Sequence, residues 1–263
     1  MFTILLHSSK TMRQVSGSEH PYQKPVLLSL AQDVNTYLRA LTPEAIQSSM
    51  KLSEKKSSHT YDLIQDWNTT NSRQLPAIDA FLGDIYSGLQ VQTFSNKDRA
   101  YANESLYILS GLYGALRALD SVYPYRLEMG YRLPDKPYNN LYSFWGSKIA
   151  NILPKDRIII NLSAVEYTKA VFLYLDSSQK IISPRFLTID PKTSEPKFVV
   201  VHAKIARGAF AHWLITNTIH TEDQLKTFSE LGYEYSAEMS SPHEPVFICK
   251  AFGGLGLSVR LRS

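Results

Sequence analysis

One cysteine, Cys249, stands among 263 residues, so the chain can form neither an internal disulfide nor a cysteine zinc cluster, and redox sensing by a cysteine pair within one chain is excluded. Its setting in the apolar segment Val246–Lys250 reads as a small buried hydrophobe in a terminal strand. No stretch approaches the 18 or more apolar residues that span a membrane. The opening MFTILL has no basic region before it and polar residues follow at once, so it reads as a strand and not as a signal peptide; a soluble, cytoplasmic protein with no membrane partner is the expectation. The seven histidines form no His-x-x-x-His or Glu-x-x-His pattern, which leaves no metal-ligand signature and predicts no metal. Dinucleotide, P-loop and Gly-x-Ser-x-Gly motifs are also missing, so no cofactor and no hydrolase elbow is predicted. A strong charge imbalance is lacking too. With 28 Lys and Arg against 24 Asp and Glu the net charge is +4, and only clustering of cations on one face could make a nucleic-acid surface.

What is present is a core. A hydrophobic share of 44% over this length suffices for one large domain or two small ones without staples. Apolar runs at Phe2–Leu6 and Arg157–Leu162 predict buried strands, and Ile181–Ile189 with Lys197–His202 predicts a strand pair joined by the turn Asp190-Pro191-Lys192. Helices are predicted over Pro25–Leu41, after the N-cap Thr42 with Pro43 at the first helical position, after Ser53, after Ser95, over Tyr138–Leu153, and after Thr221. Lys51, Lys55 and Lys56 form a local basic patch about the start of the helix that Ser53 caps, which reads as a solvated face. Strands interleaved with helices read as a mixed α/β chain, and no repeat or long linker demands a second domain.

The stretch Asn103–Arg132 carries the most information. Leu106–Leu109 has helix character, Ser110-Gly111-Leu112-Tyr113-Gly114 interrupts it, and Ala115–Leu119 restarts a helix, so the segment reads as helix, tight hairpin, short helix. Glycines at 111 and 114 would let backbone N–H groups approach a phosphate, with Arg117, Arg126 and Arg132 following. Two further junctions draw attention. Lys10 lies in the polar loop that ends the first strand, where sites in α/β folds usually sit. Lys204 and Arg207 lie where a strand to His202 is predicted to meet a helix from Ala209, beside an anion-favouring N-terminus. Ser163 and Glu166 have capping-box spacing, with a role in a site as the other reading.

The words LSGLYGALRALD, PYRLEMGYRL, LYSFWG, INLSAVEY and AKIARG occur here in the order and rough spacing of the bacterial peroxide stress protein YaaA family, which the chain resembles from about Met1 to Lys250. The resemblance implies a single α/β domain over 1–250, a central mixed sheet flanked by helices with a helix-hairpin-helix-like element, a basic cleft, DNA binding and a role in hydrogen peroxide stress; residues 251–263 have no counterpart in it and read as a flexible or loosely docked tail. Lys10 and Thr11 match the family's usual Ser-Pro-Ala-Lys-Thr, while His7, Ser8 and Ser9 depart from it. Gly83, Asp84, Tyr86 and Gly88 match a second glycine-bearing element, in which Leu82 stands where relatives often carry lysine. Ile205 replaces the second of two adjacent lysines.

Two functions follow as expectations. In the first, the protein binds DNA without strong sequence preference. Lys10, Arg126, Lys204 and Arg207 meet phosphates, Gly111 and Gly114 let the hairpin approach, and Tyr113 or Tyr125 stacks on a base. In the second, the same cations clamp a small anionic or nucleotide-like substrate while Ser163, Glu166 or Tyr86 handles protons. A closed pocket holding Lys10, Arg126, Glu166 and Arg207 favours the second; a long open basic groove past the hairpin favours the first.

Overall fold

The structure is a computed structural model that describes residues 1–13, 23–68 and 74–254. Most of the linker expected over Asn68–Gln74, and the tail from 255 onward, lie outside the described residues. Five strands form the central sheet in the order Gly114–Arg117, Leu106–Ser110, Thr3–His7, Ile159–Asn161, Ile181–Ile182. All neighbours are parallel except the first pair, a β-hairpin. Thr3–His7 therefore runs through the middle with a strand on each side, which is why Ile4, Leu5 and Leu6 are fully buried. A second sheet has the order Pro196–Lys197, Arg185–Ile189, Glu244–Cys249, Tyr233–Ser241. Its core is aromatic: Phe186 stacks on Phe247 at 5.5 Å, with Phe210 and Phe228 packed edge-on. The mixed α/β class expected from the sequence is the one observed.

Several expected elements take a different form. Leu106–Ser110 is a strand, not the end of a helix, and Gly114–Arg117 is its hairpin partner. The helix that precedes them, Asn96–Ser105, stops where this strand begins. All five residues of the strand are buried, and a continuous apolar run carries no period that separates a central strand from a buried helix. A helix-hairpin-helix reading of 103–119 is thus replaced by helix, strand, β-turn, strand. A pair of helices joined by a tight turn does occur at Pro43–Met50 and Glu54–Asp66, with Lys51 left-handed at φ 51° and Lys51, Lys55 and Lys56 exposed. Tyr138–Leu153 is not one helix but a short one, Leu141–Trp145, followed by two tight 3-10 turns after Gly146 at φ 47°.

The expected strand to His202 is only Pro196–Lys197, and the helix Val200–Thr216 starts nine residues before Ala209. Ten of its seventeen residues are buried, so packing on two sides overrides the strand preference of Val200 and Val201. Part of that packing is the short helix Asp84–Leu89. A Cβ on Gly88 would lie 2.0 Å from the Ile205 carbonyl oxygen and one on Gly208 would lie 1.8 Å from that of Ile85, so the two backbones touch directly. Cys249 is buried in the terminal strand as expected. At the C-terminal end Phe252 stacks on His202 with centroids 4.0 Å apart.

Candidate anion-binding cleft

The central strands Thr3–His7 and Ile159–Asn161 end on the same side, and the loops that follow them, 8–10 and 162–164, form two walls of a cleft of about 320 Å³. Its other walls are Leu82–Tyr86, Glu128, and Lys204 on the long helix. This is the place at which open parallel sheets bind ligands.

His7 forms the floor. Its Nδ1 accepts the Ala164 N–H at 3.1 Å and lies 3.4 Å from Ser163 Oγ, so in the neutral ring the proton sits on Nε2. The ring stacks on Tyr167 at 4.9 Å. Burial, with Arg207 and Lys204 adding positive potential, pulls the imidazole down from 6.5 to about 3, so it stays neutral at physiological pH. The Tyr86 hydroxyl donates to the His7 carbonyl at 2.9 Å, and burial holds its proton far more tightly than usual. Ser8 Oγ donates to the Tyr167 hydroxyl at 3.3 Å.

Glu128 is the cleft's buried acid, with 8% of its surface exposed. Burial raises its carboxyl above the ordinary range and Glu166 raises it further, against the opposing pull of Lys10 and of the Tyr167 hydroxyl. Lys10 Nζ stands 3.8 Å from Glu128 Oε2, an ion pair too long to be a hydrogen bond. Glu166 Oε1 accepts the Gly130 N–H at 2.9 Å. Asp84 completes the acid side, so two lysines, Lys10 and Lys204, face three carboxylates across the cleft. Neither Lys204 nor Arg207 enters an ion pair among the described residues.

The expected residues divide into two groups. Lys10, Glu166, Tyr86 and Lys204 line the cleft; Arg207 acts on His7 from one helical turn beyond Lys204, and Arg126 acts on Glu128, its buried Nε without a hydrogen-bond partner among the described residues. Gly111, Tyr113 and Gly114 are elsewhere, in the hairpin and buried. A Cβ on Gly111 would lie 2.4 Å from the Leu127 carbonyl oxygen, and one on Gly114, which has φ 72°, would lie 2.8 Å from the Trp145 ring. The Tyr113 hydroxyl accepts from Trp67 Nε1 at 3.0 Å and from the Tyr123 N–H at 3.2 Å, and the Tyr125 hydroxyl bonds Ser110 Oγ. Both rings are less than 10% exposed and cannot stack on a base in this arrangement. The glycines serve packing of the protein on itself.

The capping box expected at Ser163 and Glu166 does not form. Ala164 is the N-cap of Val165–Thr168, Asn161 Oδ1 takes the Ser163 N–H at 3.0 Å and His7 takes that of Ala164, so Glu166 is free to reach Gly130. The sequence reading missed His7 as a site residue, Glu128 and Tyr167. The signal for the acid was there, a lone glutamate inside the cation-rich word PYRLEMGYRL.

Residues 2–239 match the family model described as peroxide stress protein YaaA. A UPF0246 protein of Salinispora tropica is 51% identical over 257 residues, 98% of this chain and 97% of that one. UPF0246 proteins of Marinomonas sp. and Clostridium perfringens are each 38% identical, over 93% and 85% of this chain and 95% and 90% of their own.

Proposed function

Because the chain belongs to the peroxide stress protein YaaA family, we propose that it serves that response by binding DNA, with phosphates held at the cleft by Lys10, Lys204 and Arg207. The observation that carries this reading is the convergence of cations from two distant segments on one cleft, where Lys204 and Arg207 have no carboxylate partner among the described residues. Unpaired cations beside a cavity carry a desolvation cost that an anionic ligand relieves. The hairpin at Gly111 is buried and takes no part in it.

The test is fluorescence anisotropy with labelled single-stranded, duplex and junction DNA across a salt series, for wild type and for Lys204→Ala with Arg207→Ala. On duplex DNA each phosphate contact contributes roughly −0.9 to the slope of log K against log salt, so the double substitution should make the slope shallower by about 1.8. A flat salt response in wild type would sink the reading.

A second reading is favoured by the acid side of the cleft. Burial raises the Glu128 carboxyl toward neutrality, and with Glu166 across the same cleft it forms a pair of carboxyls suited to proton transfer on a small anionic or nucleotide-like substrate. In that reading Glu166 keeps its expected role and Glu128 joins it, while Tyr86 is tied to the His7 carbonyl and Ser163 lies buried beneath the ring.

A further inference from the structure

We infer that the cleft is a pocket for one nucleotide unit, whose phosphate meets Lys10 and Lys204 while its sugar hydroxyls or base N–H groups donate to Glu128 and Glu166. The inference rests on the anion-site reading above and specifies what the anion carries.

Three observations lead there. The first is size. About 320 Å³ lies at the lower end of small-molecule sites, which run from about 300 to 1,000 Å³. A space of that size takes one nucleotide-sized unit, while a duplex meets the cleft's cations only at its mouth.

The second is the balance of charge. A continuous phosphate track calls for cations only, yet three carboxylates share the lining with two lysines. A bare phosphate set among Asp84, Glu128 and Glu166 meets repulsion that offsets much of the attraction of Lys10 and Lys204. A ligand with an anionic end and a donor-bearing end satisfies both sides. A nucleotide has that form.

The third is the state of Glu128. It is 92% buried by its 8% exposure, its ion pair to Lys10 is 3.8 Å long, and it lines the open space. An ionised carboxylate offers about four lone-pair sites. The Tyr167 hydroxyl serves one of these sites, and the rest belong to a buried carboxylate that lines the cleft, where a ligand can supply the donors. His7 adds an Nε2–H on the floor of the same space.

The nucleotide can be free or can be the terminal unit of a DNA strand, and the experiment separates these sources. The probes are the four 5′-deoxynucleoside monophosphates, the corresponding nucleosides and inorganic phosphate, titrated by calorimetry and saturation-transfer NMR. Each half-ligand satisfies one side only, so nucleotides should bind at least about tenfold more tightly than either, the size expected for losing a hydrogen bond to a charged group. Lys204→Ala should weaken nucleotide binding by about tenfold or more on the same ground. Glu128→Gln should erase the preference for nucleotide over inorganic phosphate, and Glu166→Gln, at a less buried acid, serves the same purpose if the first variant melts early.

The second arm compares a covalently closed dumbbell DNA with an open hairpin of equal sequence carrying a 5′-phosphate. Preference for the open form, competed by free nucleotide, assigns the pocket to strand ends; nucleotide binding with no DNA binding leaves the pocket intact and removes the DNA reading. The inference is overturned if nucleotides show no binding at 10 mM, on the order of the weakest affinities calorimetry resolves. It is equally overturned if inorganic phosphate binds as tightly as nucleotide. DNA binding that nucleotides never compete overturns it while the DNA reading stands.

Discussion

At His7 the position of one proton is set by neighbours on the long helix and on the loop that follows Ile159–Asn161. Lys204 and Arg207 from the long helix oppose its charging, and the Ala164 N–H occupies Nδ1. The imidazole titrates near 3 when folded and near 6.5 when unfolded. The folded state therefore binds fewer protons between those values. The stability owed to a neutral His7 is complete above pH 6.5 and is lost as pH falls toward 3. Between pH 7 and 4.5 about two pH units of that window are crossed, roughly 2.7 kcal/mol at 1.36 kcal/mol per unit. The cleft is open to solvent, which reduces the figure to about 2 kcal/mol. His7→Asn keeps an acceptor for the Ala164 N–H and has nothing to protonate, so urea unfolding should show wild type losing about 2 kcal/mol more than the variant over this range. Equal losses would mean that the imidazole charges freely in the folded state. At this scale Lys10, Lys204, Arg207 and Glu166 were legible in the sequence, because each lies in a conspicuous polar word at the end of an apolar run. Glu128 and Tyr167 were not: burial, not residue type, makes them site residues, and burial depends on the packing of segments distant in sequence.

Among the elements, the contact that fixes Lys204 over the cleft is the crossing of Asp84–Leu89 on Val200–Thr216. Gly88 and Gly208 each face a carbonyl oxygen of the other helix, at distances from an added Cβ of 2.0 and 1.8 Å. Backbone cannot rotate away as a side chain can, so one methyl at either position forces the helices apart. Gly88→Ala or Gly208→Ala should cost about 3 kcal/mol, the upper end for overpacking, even though alanine is the better helix former by about 1 kcal/mol. Urea midpoints and the anisotropy assay should fall together; a loss below about 1 kcal/mol would show the crossing to be compliant. Local signals were read correctly where the chemistry is local. Thr42 accepts the Ala45 N–H, and Ser95 with Asp98 and Thr221 with Gln224 form capping boxes at the expected helix starts. Ser53 occupies its expected N-cap position without a side-chain bond. Elements set by tertiary packing were misread. Leu106–Ser110 is a strand because Thr3–His7 pairs with it, and Val200 begins a helix because the residues that follow are buried on two sides.

For the whole molecule the question is whether the two sheets unfold as one. Residues of the central sheet, such as Ile4, Leu109 and Ile160, and of the second sheet, such as Phe186 and Phe247, belong to a single cluster of buried side chains, with Phe210 and Ala206 of the long helix among them. The cleft repeats this dependence, since its walls come from the central sheet's loops, from Asp84–Tyr86 and from the helix that packs on the second sheet. A single contiguous core predicts one cooperative transition. The tryptophans report on different regions: Trp67 and Trp145 hydrogen-bond within the hairpin region, and Trp213 packs on Phe210 and Phe228. Trp213→Phe leaves the first reporters and Trp67→Phe with Trp145→Phe leaves the last. In each variant the fluorescence transition in urea should coincide with that variant's own circular dichroism, which removes the effect of any loss in stability. Separate midpoints for Trp213 and for the pair would divide the chain into two cores and break the proposed single domain over 1–250. A cleft walled by both parts would then lose ligand at the first of the two transitions, whereas with one core binding and structure disappear along the same curve.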